Sequence, residues 1–366
     1  MSESGQSRRH WRLDWPTSGG GRLAQAQLKS CPEDFQVDEQ LDGFPDRSEA
    51  LAVTGAGEHL CLRLEKTGDN TDYVVRELAT LSGCRSFDVG FCGLKDRHAV
   101  TRQWFSIYRP GLEQDDPAFI RAVSERWSVH AVCRHPRKLR RGEHQRNHFL
   151  ITLRQVCGDR PELEAALVRL QQQGAPNYFG PQRFGHHGAN LDRAVAMDPS
   201  AMDSRHRQRG RGRKGKHRAG RDASKNVLYF SAARSWLFNE VLASRVEDGS
   251  WLTLMAGDPG LTLDEPVPTG PLWGDGGTGA EPPLGDVERE VVDQWPEVLA
   301  LFATTRMKPE RRPLVVQPQA LTWDWHGDGS LQLGFSLAPG QYATTVLSDI
   351  FELEDLSLGR DNKERS

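Results

Sequence analysis

The chain has 366 residues, of which 37% are hydrophobic and 27% charged, and a formal net charge of −3. This length allows one large domain or two smaller ones with buried cores, which predicts a globular protein. No stretch approaches the roughly eighteen consecutive apolar residues that a membrane-spanning helix needs. The polar stretch from Met1 to Gly21 lacks the apolar core of a secretory signal. These features predict a cytoplasmic protein without a membrane segment, with a disordered leader over residues 1–25.

The cysteines and histidines form no pattern typical of a metal site. The six cysteines are far apart, with no C-x-x-C pair and no Cys/His cluster at zinc-binding spacing. His186 and His187 are adjacent, but neither an acidic residue nor a cysteine is close enough in sequence to complete a ligand set. We therefore expect free, buried thiols and no bound metal.

Basic residues are concentrated in two runs. Residues 134–148 contain six Arg or Lys and one acidic residue, and residues 205–221 contain nine Arg or Lys and no acidic residue. Residues 258–297 reverse the balance, with ten acidic residues and one Arg. Because affinity for a polyanion depends on local charge, the negative total does not exclude a nucleic-acid partner. Each run is also compatible with a solvated surface that has no partner.

The first half of the chain, from Ala26 to about Val156, is predicted to form strands with a helix among them. Residues 59–65 alternate apolar and polar side chains, which predicts a half-buried strand. Thr71 can cap a helix that runs to about Leu81, with Gly83 closing it. Further strands are expected over residues 87–92, 102–108, 127–133 and 148–156, and a helix over residues 162–173. Strands and helices mixed without a regular βαβ repeat predict an α+β fold.

The second half of the chain begins at Gly174. Residues 231–246 have the apolar periodicity of a helix, and residues 257–285 contain eight Gly and six Pro, which predicts a loop. Residues 320–337 are typical of a hairpin, and a last helix is expected after Pro339. The simplest architecture is a sheet domain whose two halves flank an inserted domain.

The loop at residues 93–100, between two predicted strands, contains the most reactive group of side chains. Asp96 lies there next to Lys95, Arg97 and His98. Three potential cations beside one carboxylate favour its ionised form, which a nucleophile or base needs near neutral pH. By spacing alone, an Asp in a Gly-containing turn is more often a hydrogen-bonded turn residue.

Several long motifs occur together and in order along the chain. Residues 93–104, GLKDRHAVTRQW, resemble the signature loop of the TruD family of tRNA pseudouridine synthases. Further segments resemble other blocks of that family: 32–39 (PEDFQVDE), 66–71 (KTGDNT), 177–185 (NYFGPQRFG), 231–235 (SAARS) and 339–345 (PGQYATT). The resemblance extends from about Lys29 to Phe351, and several ordered motifs are far more specific than one short pattern.

The resemblance implies a pseudouridine synthase-type mixed sheet domain with an inserted α/β domain. It implies a catalytic domain over residues 26–173 and 317–356, an inserted TRUD domain over residues 174–316, and a tail over residues 357–366. The basic run at residues 205–221 is longer than the family requires, and its low complexity predicts a flexible arm. Such an arm can bind RNA backbone without reading sequence, but a solvated insertion without a function explains it as well.

The resemblance also implies the site residues and the chemistry. Asp96 matches the family's catalytic aspartate, and substrate contacts are implied for Phe35, Asn147, Tyr342, Phe149 and Lys29. The family works without a cofactor or metal. Its reaction breaks the bond from ribose to uracil N1, turns the base, and rejoins it through C5. Whether the aspartate attacks the sugar or removes a sugar proton remains open.

The types of these residues suit an extruded base. A base taken out of folded RNA needs a flat surface to stack on and polar groups that bind its edge. Phe35, Phe149 and Tyr342 can supply aromatic faces, and Asn147 an amide, although core packing would otherwise explain the aromatics. Tyr342 departs from the family pattern, which more often has Phe, and its hydroxyl needs a partner if it is buried.

We therefore expect a monomeric tRNA pseudouridine synthase that acts on tRNA, by resemblance on the uridine at position 13. The alternative is a non-catalytic RNA-binding or RNA chaperone protein that kept the fold and uses its basic arm. A carbohydrate hydrolase is a weaker alternative, because it needs two carboxylates flanking a cleft and only Asp96 stands out.

Overall fold

The computed structural model describes residues 10–197, 216–262, 264–303 and 307–359. These residues divide into two compact units. The sheet unit contains the described parts of Leu23–Gln171, Pro318–Ala343 and Phe351–Ser366, and the helical unit those of Met1–Arg22, Gln172–Gln317 and Thr344–Ile350. The long middle segment of the helical unit has nearly the bounds expected for the inserted domain, residues 174–316.

The elements follow the chain in this order. The strands of the described residues are β1 (Ala24–Leu28), β2 (Phe35–Gln40), β3 (Thr54–Gly55), β4 (His59–Lys66), β5 (Val89–Phe91), β6 (Val100–Tyr108), β7 (Ser128–His135), β8 (Arg146–Gly158), β9 (Ala175–Pro176), β10 (Thr269–Leu272), β11 (Glu310–Pro313), β12 (Val315–Val316), β13 (Gln319–Trp325), β14 (Leu331–Leu337) and β15 (Phe351–Asp355). The α-helices are α1 (Thr71–Ser82), α2 (Asp116–Ser124), α3 (Arg160–Gln173), α4 (Ala189–Val195), α5 (Lys216–Glu247), α6 (Leu284–Val292), α7 (Pro296–Leu299) and α8 (Ala343–Leu347).

One mixed sheet forms the sheet unit. Its order is β13-β14-β8-β2-β6-β4-β7-β3, while β1 pairs with β8 and β15, and β5 pairs with β6. The β2–β6 pair is parallel, whereas β8 pairs antiparallel with both β2 and β14. The predicted hairpin is confirmed as β13 and β14, which attach the end of the chain to the sheet of its first half. A mixed sheet with helices confirms the α+β fold class.

Strand β4 is buried on both faces, which corrects the half-buried strand of the sequence analysis. Leu60, Leu62 and Leu64 pack into the core that α1 and α2 cover. On the opposite face, Cys61 packs in a second buried cluster that includes Trp104. The alternating pattern is misleading here because Arg63, read as a solvent residue, is buried and bound to the carboxylate of Asp38.

Helix α1 has the expected termini with one change of cap. The side chain of Asn70, rather than that of Thr71, accepts from the backbone N–H of Tyr73 at 2.8 Å. Gly83 closes the helix in the left-handed conformation, with φ of 71°, which a residue without Cβ adopts without strain. The Thr71 hydroxyl therefore does not cap the helix and donates to the side chain of Gln103 instead.

In the helical unit, the long helix α5 packs along α4 and the short β10–β11 pair. Strand β10 lies within residues 257–285, where the Gly and Pro content predicted only loop, and this part of the prediction is wrong.

The prediction that residues 1–25 form a disordered leader is also wrong for the described part of that segment. Trp11 and Trp15 are buried and donate to the carboxylates of Asp192 and Glu240, both at 2.8 Å.

The remaining parts of the predicted termini and arm are only partly described. Residues 1–9 of the leader, 205–215 of the basic arm and 360–366 of the tail lie outside the described residues. The backbone of residues 216–221, predicted as arm, belongs to α5. Ser357, at the start of the predicted tail, is buried and donates to Asp355.

All six cysteines are free, but only Cys61, Cys92 and Cys133 are buried, so burial of all six thiols was a wrong prediction. The ring centroids of His186 and His187 lie 4.0 Å apart.

Within the described ranges, no group of three His, Cys, Asp or Glu side chains could hold a metal ion. No helix in the described part of the chain is long and apolar enough to cross a membrane.

Candidate active site

The loop that carries Asp96 joins β5 to β6 and is anchored through its backbone. The amide N–H of Lys95 donates to the Thr71 hydroxyl at 3.0 Å, and the carbonyl of Gly93 accepts from the Gln103 amide at 3.0 Å. Thr71 in turn donates to the Gln103 side chain at 3.1 Å. Because Thr71 and Gln103 are fully buried, they hold the loop on the sheet rather than in solvent.

A buried ion pair fixes the residue before Asp96. The ammonium of Lys95 lies 2.5 Å from the carboxylate of Glu39, and both side chains are almost fully buried. The other oxygen of Glu39 accepts from the backbone N–H of Trp104 at 3.2 Å. Glu39 thus joins β2, β6 and the loop, and Lys95 is turned away from Asp96.

The partner of Asp96 comes from a distant part of the sequence. The ammonium of Lys29 lies 2.6 Å from Oδ2 of Asp96 and 3.3 Å from the carboxylate of Asp355. The backbone N–H of His98 donates to Oδ1 of Asp96 at 3.0 Å. Lys29 itself has φ of +56°, a conformation uncommon outside glycine that often marks functional sites.

These contacts set the protonation state of Asp96. Burial raises the pKa of its carboxyl group, but the charge and hydrogen bond of Lys29, followed by the His98 amide, outweigh it and lower the pKa below the usual value. The contacts therefore support the prediction that Asp96 is ionised. The stabilising charge comes mainly from Lys29 and not from the neighbours of Asp96 in sequence. Lys29 supplies the direct contact, whereas Lys95 binds Glu39 and the side chain of Arg97 donates to the His98 ring at 3.0 Å.

A second lysine supports the backbone of Asp96. The ammonium of Lys66 donates to the carbonyl of Asp96 at 3.2 Å and to that of Asp69 at 2.7 Å. Burial is the main reason that the pKa of Lys66 falls to about 8, with Asp96 and Asp69 acting in the opposite direction. Lys66 therefore holds the main chain of the loop, while Lys29 binds the side chain of Asp96.

The predicted aromatic residues Phe35 and Phe149 lie together beside this ion pair. The ammonium of Lys29 is 4.9 Å from the centroid of the Phe35 ring, and Phe35 meets Phe149 edge to face at 6.1 Å. Phe149 also stacks on Phe335 at 5.6 Å. Both Phe35 and Phe149 are more than 90% buried, so neither presents a whole ring face to solvent.

Asn147 lies on the same face of β8 as Phe149, two residues away, and opposite Glu39 of β2. Its amide nitrogen is 3.1 Å from Nε2 of His144. Burial, followed by the charge of Lys95, lowers the pKa of His144, so a neutral ring can accept this hydrogen bond. Within the described residues, the buried Oδ1 of Asn147 has no hydrogen-bond partner.

Tyr342 is half-buried in the turn between β14 and α8. The last residue of β14, Leu337, pairs with Asn147 of β8, so the chain leaves the sheet beside Asn147 and reaches Tyr342 five residues later. The structure thus brings Asp96, Lys29, Phe35 and Phe149 into one chain of contacts. Asn147 is linked to them through the sheet, and Tyr342 through the turn alone.

Sequence reasoning missed the residues that hold the loop. Glu39 and Lys66 were part of motifs that resemble the family, but neither had a role assigned, and His144 and Asp355 were not singled out. Glu39, with its acidic group on an apolar-patterned strand, carried a usable signal, since a buried carboxylate needs a cationic partner. Asp355 carried none, because its contact with Lys29 depends on the pairing of β1 with β15.

Comparison with known proteins gives concordant matches. Residues 20–192 match the family model described as tRNA pseudouridine synthase D (TruD). The chain is 60% identical to the tRNA pseudouridine synthase D of Marinobacter nauticus, over 99% of this chain and 100% of that protein. It is 39% identical to the protein of the same name from Cellvibrio japonicus, over 97% of each.

A solved structure supports the fold independently. The crystal structure of a Methanosarcina mazei protein described as tRNA pseudouridine synthase D aligns with a TM-score of 0.63, at 20% identity, over 93% of this chain and 96% of that chain. At that identity the likeness shows the fold alone. The identity to bacterial relatives over nearly the whole length adds the family, so the resemblance seen in the motifs is confirmed: the chain belongs to the TruD family of tRNA pseudouridine synthases.

Proposed function

We propose that this protein isomerises a uridine of tRNA to pseudouridine, with Asp96 as the catalytic carboxylate and the uridine at position 13 as its target. The proposal rests on one observation, namely that the Asp96 carboxylate is both paired with a cation and partly exposed. Its carboxylate is paired with Lys29 on one side, yet its side chain is 36% exposed, so a ribose can approach the oxygens. A fully enclosed ion pair would leave no room for a nucleotide.

The lowered pKa of Asp96 suits either first step of the reaction. Attack on the sugar and removal of a sugar proton both require the ionised carboxylate. Because Lys29 and the His98 amide both stabilise the negative charge, Asp96 is ionised throughout the neutral range. The charge of Lys29 also orients Oδ2, while Lys66 fixes the backbone from which the side chain extends.

The detached uracil has to be held while it turns, and the unpaired oxygen of Asn147 suits this task. Uracil presents an N–H donor between two carbonyl acceptors, and a buried acceptor without a partner gains most from such a donor. Asn147 is fixed by His144 through its amide nitrogen, which leaves Oδ1 available. The edges of Phe35 and Phe149, and the ring of Tyr342, would add apolar contacts to the base.

The test of the catalytic role is tritium release from tRNA labelled at C5 of uridine. We expect Asp96→Asn, which preserves shape but removes the charge, to lower the rate by roughly 10²- to 10⁴-fold, as loss of a catalytic acid or base does. Asp324→Asn is the matched control, since Asp324 is 82% exposed on β13, and its rate should equal that of the wild type.

The position of the target is read separately, by mapping pseudouridine in tRNA before and after incubation with the enzyme. Modification at position 13 alone is the expected result. Release at the wild-type rate by Asp96→Asn would overturn the catalytic assignment, while release from another position would correct the target without changing the site.

A further inference from the structure

An open groove lies in the sheet unit beside β5, separate from the contacts of Asp96. It encloses about 650 Å³, within the range of small-ligand sites, and is lined by β5, the residues before it, and the loop at residues 138–141. Phe87 at its rim is 79% exposed, the highest value among the large apolar side chains of the described residues. An aromatic ring this exposed gains nothing from the core and is available to a ligand.

Cationic side chains accompany the aromatic rings of this groove. The ammonium of Lys138 is 4.5 Å from the centroid of the Phe87 ring and donates to the carbonyl of Phe87. The guanidinium of Arg141 is 5.2 Å from the centroid of the Phe91 ring. In the part of the chain that the structure describes, neither Arg140 nor Arg141 forms a salt bridge.

The acidic residues around the groove neutralise only part of this positive charge. Asp88 is bound to Arg85 at 2.8 Å, and the carboxylate of Glu143 accepts from the backbone N–H of Arg140 at 2.8 Å. Asp88 is thus balanced by Arg85, and Glu143 provides one negative charge against the three positive charges of Lys138, Arg140 and Arg141. The groove keeps an excess of positive charge beside aromatic faces.

The groove is built on a rigid support. The backbone of Leu139 approaches β5 so closely that a Cβ on Gly90 would lie 2.4 Å from the Leu139 carbonyl oxygen. The N–H of Leu139 donates to the Ser106 hydroxyl at 2.9 Å, and Leu139 is buried. The cations on either side of Leu139 therefore extend from a fixed backbone, which lowers the entropy lost when a ligand binds.

The segment after residues 138–141 is hydrogen-bonded to the loop that carries Asp96. The N–H of Gly142 donates to the carbonyl of Cys92 at 2.8 Å, directly after β5. Phe91 and Asp96 are five residues apart in sequence, so their Cα atoms are separated by at most ~18 Å. An RNA strand that places one nucleotide at Asp96 can therefore reach the groove with another.

We propose that this groove binds an unpaired nucleotide of the tRNA other than the reacting uridine, with its base on Phe87 and its phosphates against Arg140 and Arg141. Aromatic faces combined with basic groups are the means by which proteins hold single-stranded RNA without reading its sequence. The identity of the occupant rests on the proposed function, but binding at the groove does not require turnover and is measured independently of it.

The test uses the full chain carrying Asp96→Asn, so that the RNA is not converted. Binding of tRNA is followed by fluorescence anisotropy for Phe87→Ala, Phe87→Trp and the double variant Arg140→Ala/Arg141→Ala. We expect Phe87→Ala to weaken binding on the order of tenfold, as loss of one stacking platform does, and Phe87→Trp to retain affinity. The double variant should reduce the salt slope by roughly 1.4, from two phosphate contacts at about 0.7 each.

Controls separate this site from general charge and from other ligands. Arg121→Ala, on the exposed face of α2 in the same unit, should leave the affinity unchanged. Three further probes are an oligouridylate, inorganic tripolyphosphate and an acidic peptide, of which only the oligouridylate should lose affinity on Phe87→Ala. Equal losses for oligouridylate and tripolyphosphate, wild-type tRNA affinity in all groove variants, or preference for an acidic peptide over oligouridylate would each overturn the proposal. Absence of tritium release by the wild type would instead reject the proposed function.

Discussion

At the scale of single residues, the contact between Lys29 and Asp96 determines the charge state of the proposed catalytic carboxylate. Burial works against an ionised Asp96, and the charge and hydrogen bond of Lys29 reverse the balance. A group whose folded pKa is lowered keeps its ionised form above that pKa and loses it as the pH falls through it. The lowered pKa of Asp96 is therefore due mainly to a residue that lies 67 positions away in sequence.

We predict that Lys29→Met raises the pH at which activity is lost. Without the ammonium, the two contributions of Lys29 that lower the pKa of Asp96 are lost, so this pKa rises and protonation begins at higher pH. The acid limb of kcat/KM for tritium release should therefore move to higher pH. Single-turnover rates from pH 4 to 8 measure it.

Lys29→Arg is the matched control for charge, because it keeps a cation close to Oδ2. Its acid limb should stay near that of the wild type, whatever its maximal rate. Coincident limbs for wild type and Lys29→Met would contradict the role given to Lys29. The separate limbs also distinguish loss of charge from simple misfolding, which would lower the rate at every pH.

At the scale of elements, a buried charge pair helps to hold the loop that carries Asp96. Lys95 and Glu39 have side chains that are 6% and 0% exposed. Removing one partner of such a pair leaves the other charge buried without compensation. We predict that Lys95→Met lowers the free energy of unfolding by about 3–5 kcal/mol and disturbs the loop that carries Asp96. Urea denaturation followed by circular dichroism gives the first value.

The exposed pair of Arg126 and Glu77 provides a comparison within the same unit. Its side chains are 45% and 26% exposed, so solvent screens the charges, and Arg126→Met should change stability by less than about 1 kcal/mol. If Lys95→Met is no more destabilising than Arg126→Met, the buried pair does not support the loop as described.

Element types were largely predictable from the sequence, whereas burial and partners were not. The periodicity of residues 59–65 correctly gave a strand, and the turn at residues 326–329 correctly gave a hairpin. The pattern could not tell that helices and a second cluster cover opposite faces of β4, because this depends on the order of strands in the sheet. Strand β10 was missed since the Gly and Pro content of residues 257–285 outweighed a four-residue strand.

The candidate site was predictable as a set of residues, mainly through the family motifs. The contacts among them were not, because Lys29 reaches Asp96 only through the conformation after β1, and Asn147 faces Glu39 only through the register of β8 on β2. The cations next to Asp96 in sequence were the natural candidates for its partner. Lys95 instead binds Glu39, since successive residues of a loop point in different directions.

At the scale of the whole molecule, the sheet unit is assembled from distant parts of the chain. Strands β14 and β15 follow the segment of the helical unit, yet they pair with β8 and β1 from the first half. The faces that carry Phe149 and Lys29 are therefore completed only when the end of the chain is in place. Both ends of the sequence therefore contribute to one sheet.

The charge of the whole molecule is unevenly distributed along the chain. The net charge is −3, yet residues 205–215 alone carry six Arg or Lys, and a polyanion responds to such local concentrations. We predict that replacing residues 205–215 by a Gly/Ser linker of equal length weakens tRNA binding and reduces its salt slope by up to about 4, at roughly 0.7 per contact with single-stranded backbone. Turnover on saturating tRNA should be retained, because the contacts of Asp96 lie in another segment of the chain.

The same variant separates the enzyme from its main alternative. A non-catalytic RNA-binding protein would lose its principal activity with the arm and would release no tritium in either form. Filter binding at 50 to 200 mM KCl gives the slope, and tritium release at saturating tRNA gives kcat. An unchanged slope would mean that residues 205–215 make no contact with tRNA, and cations elsewhere in the chain, such as those of the 138–141 loop, would then have to supply the affinity.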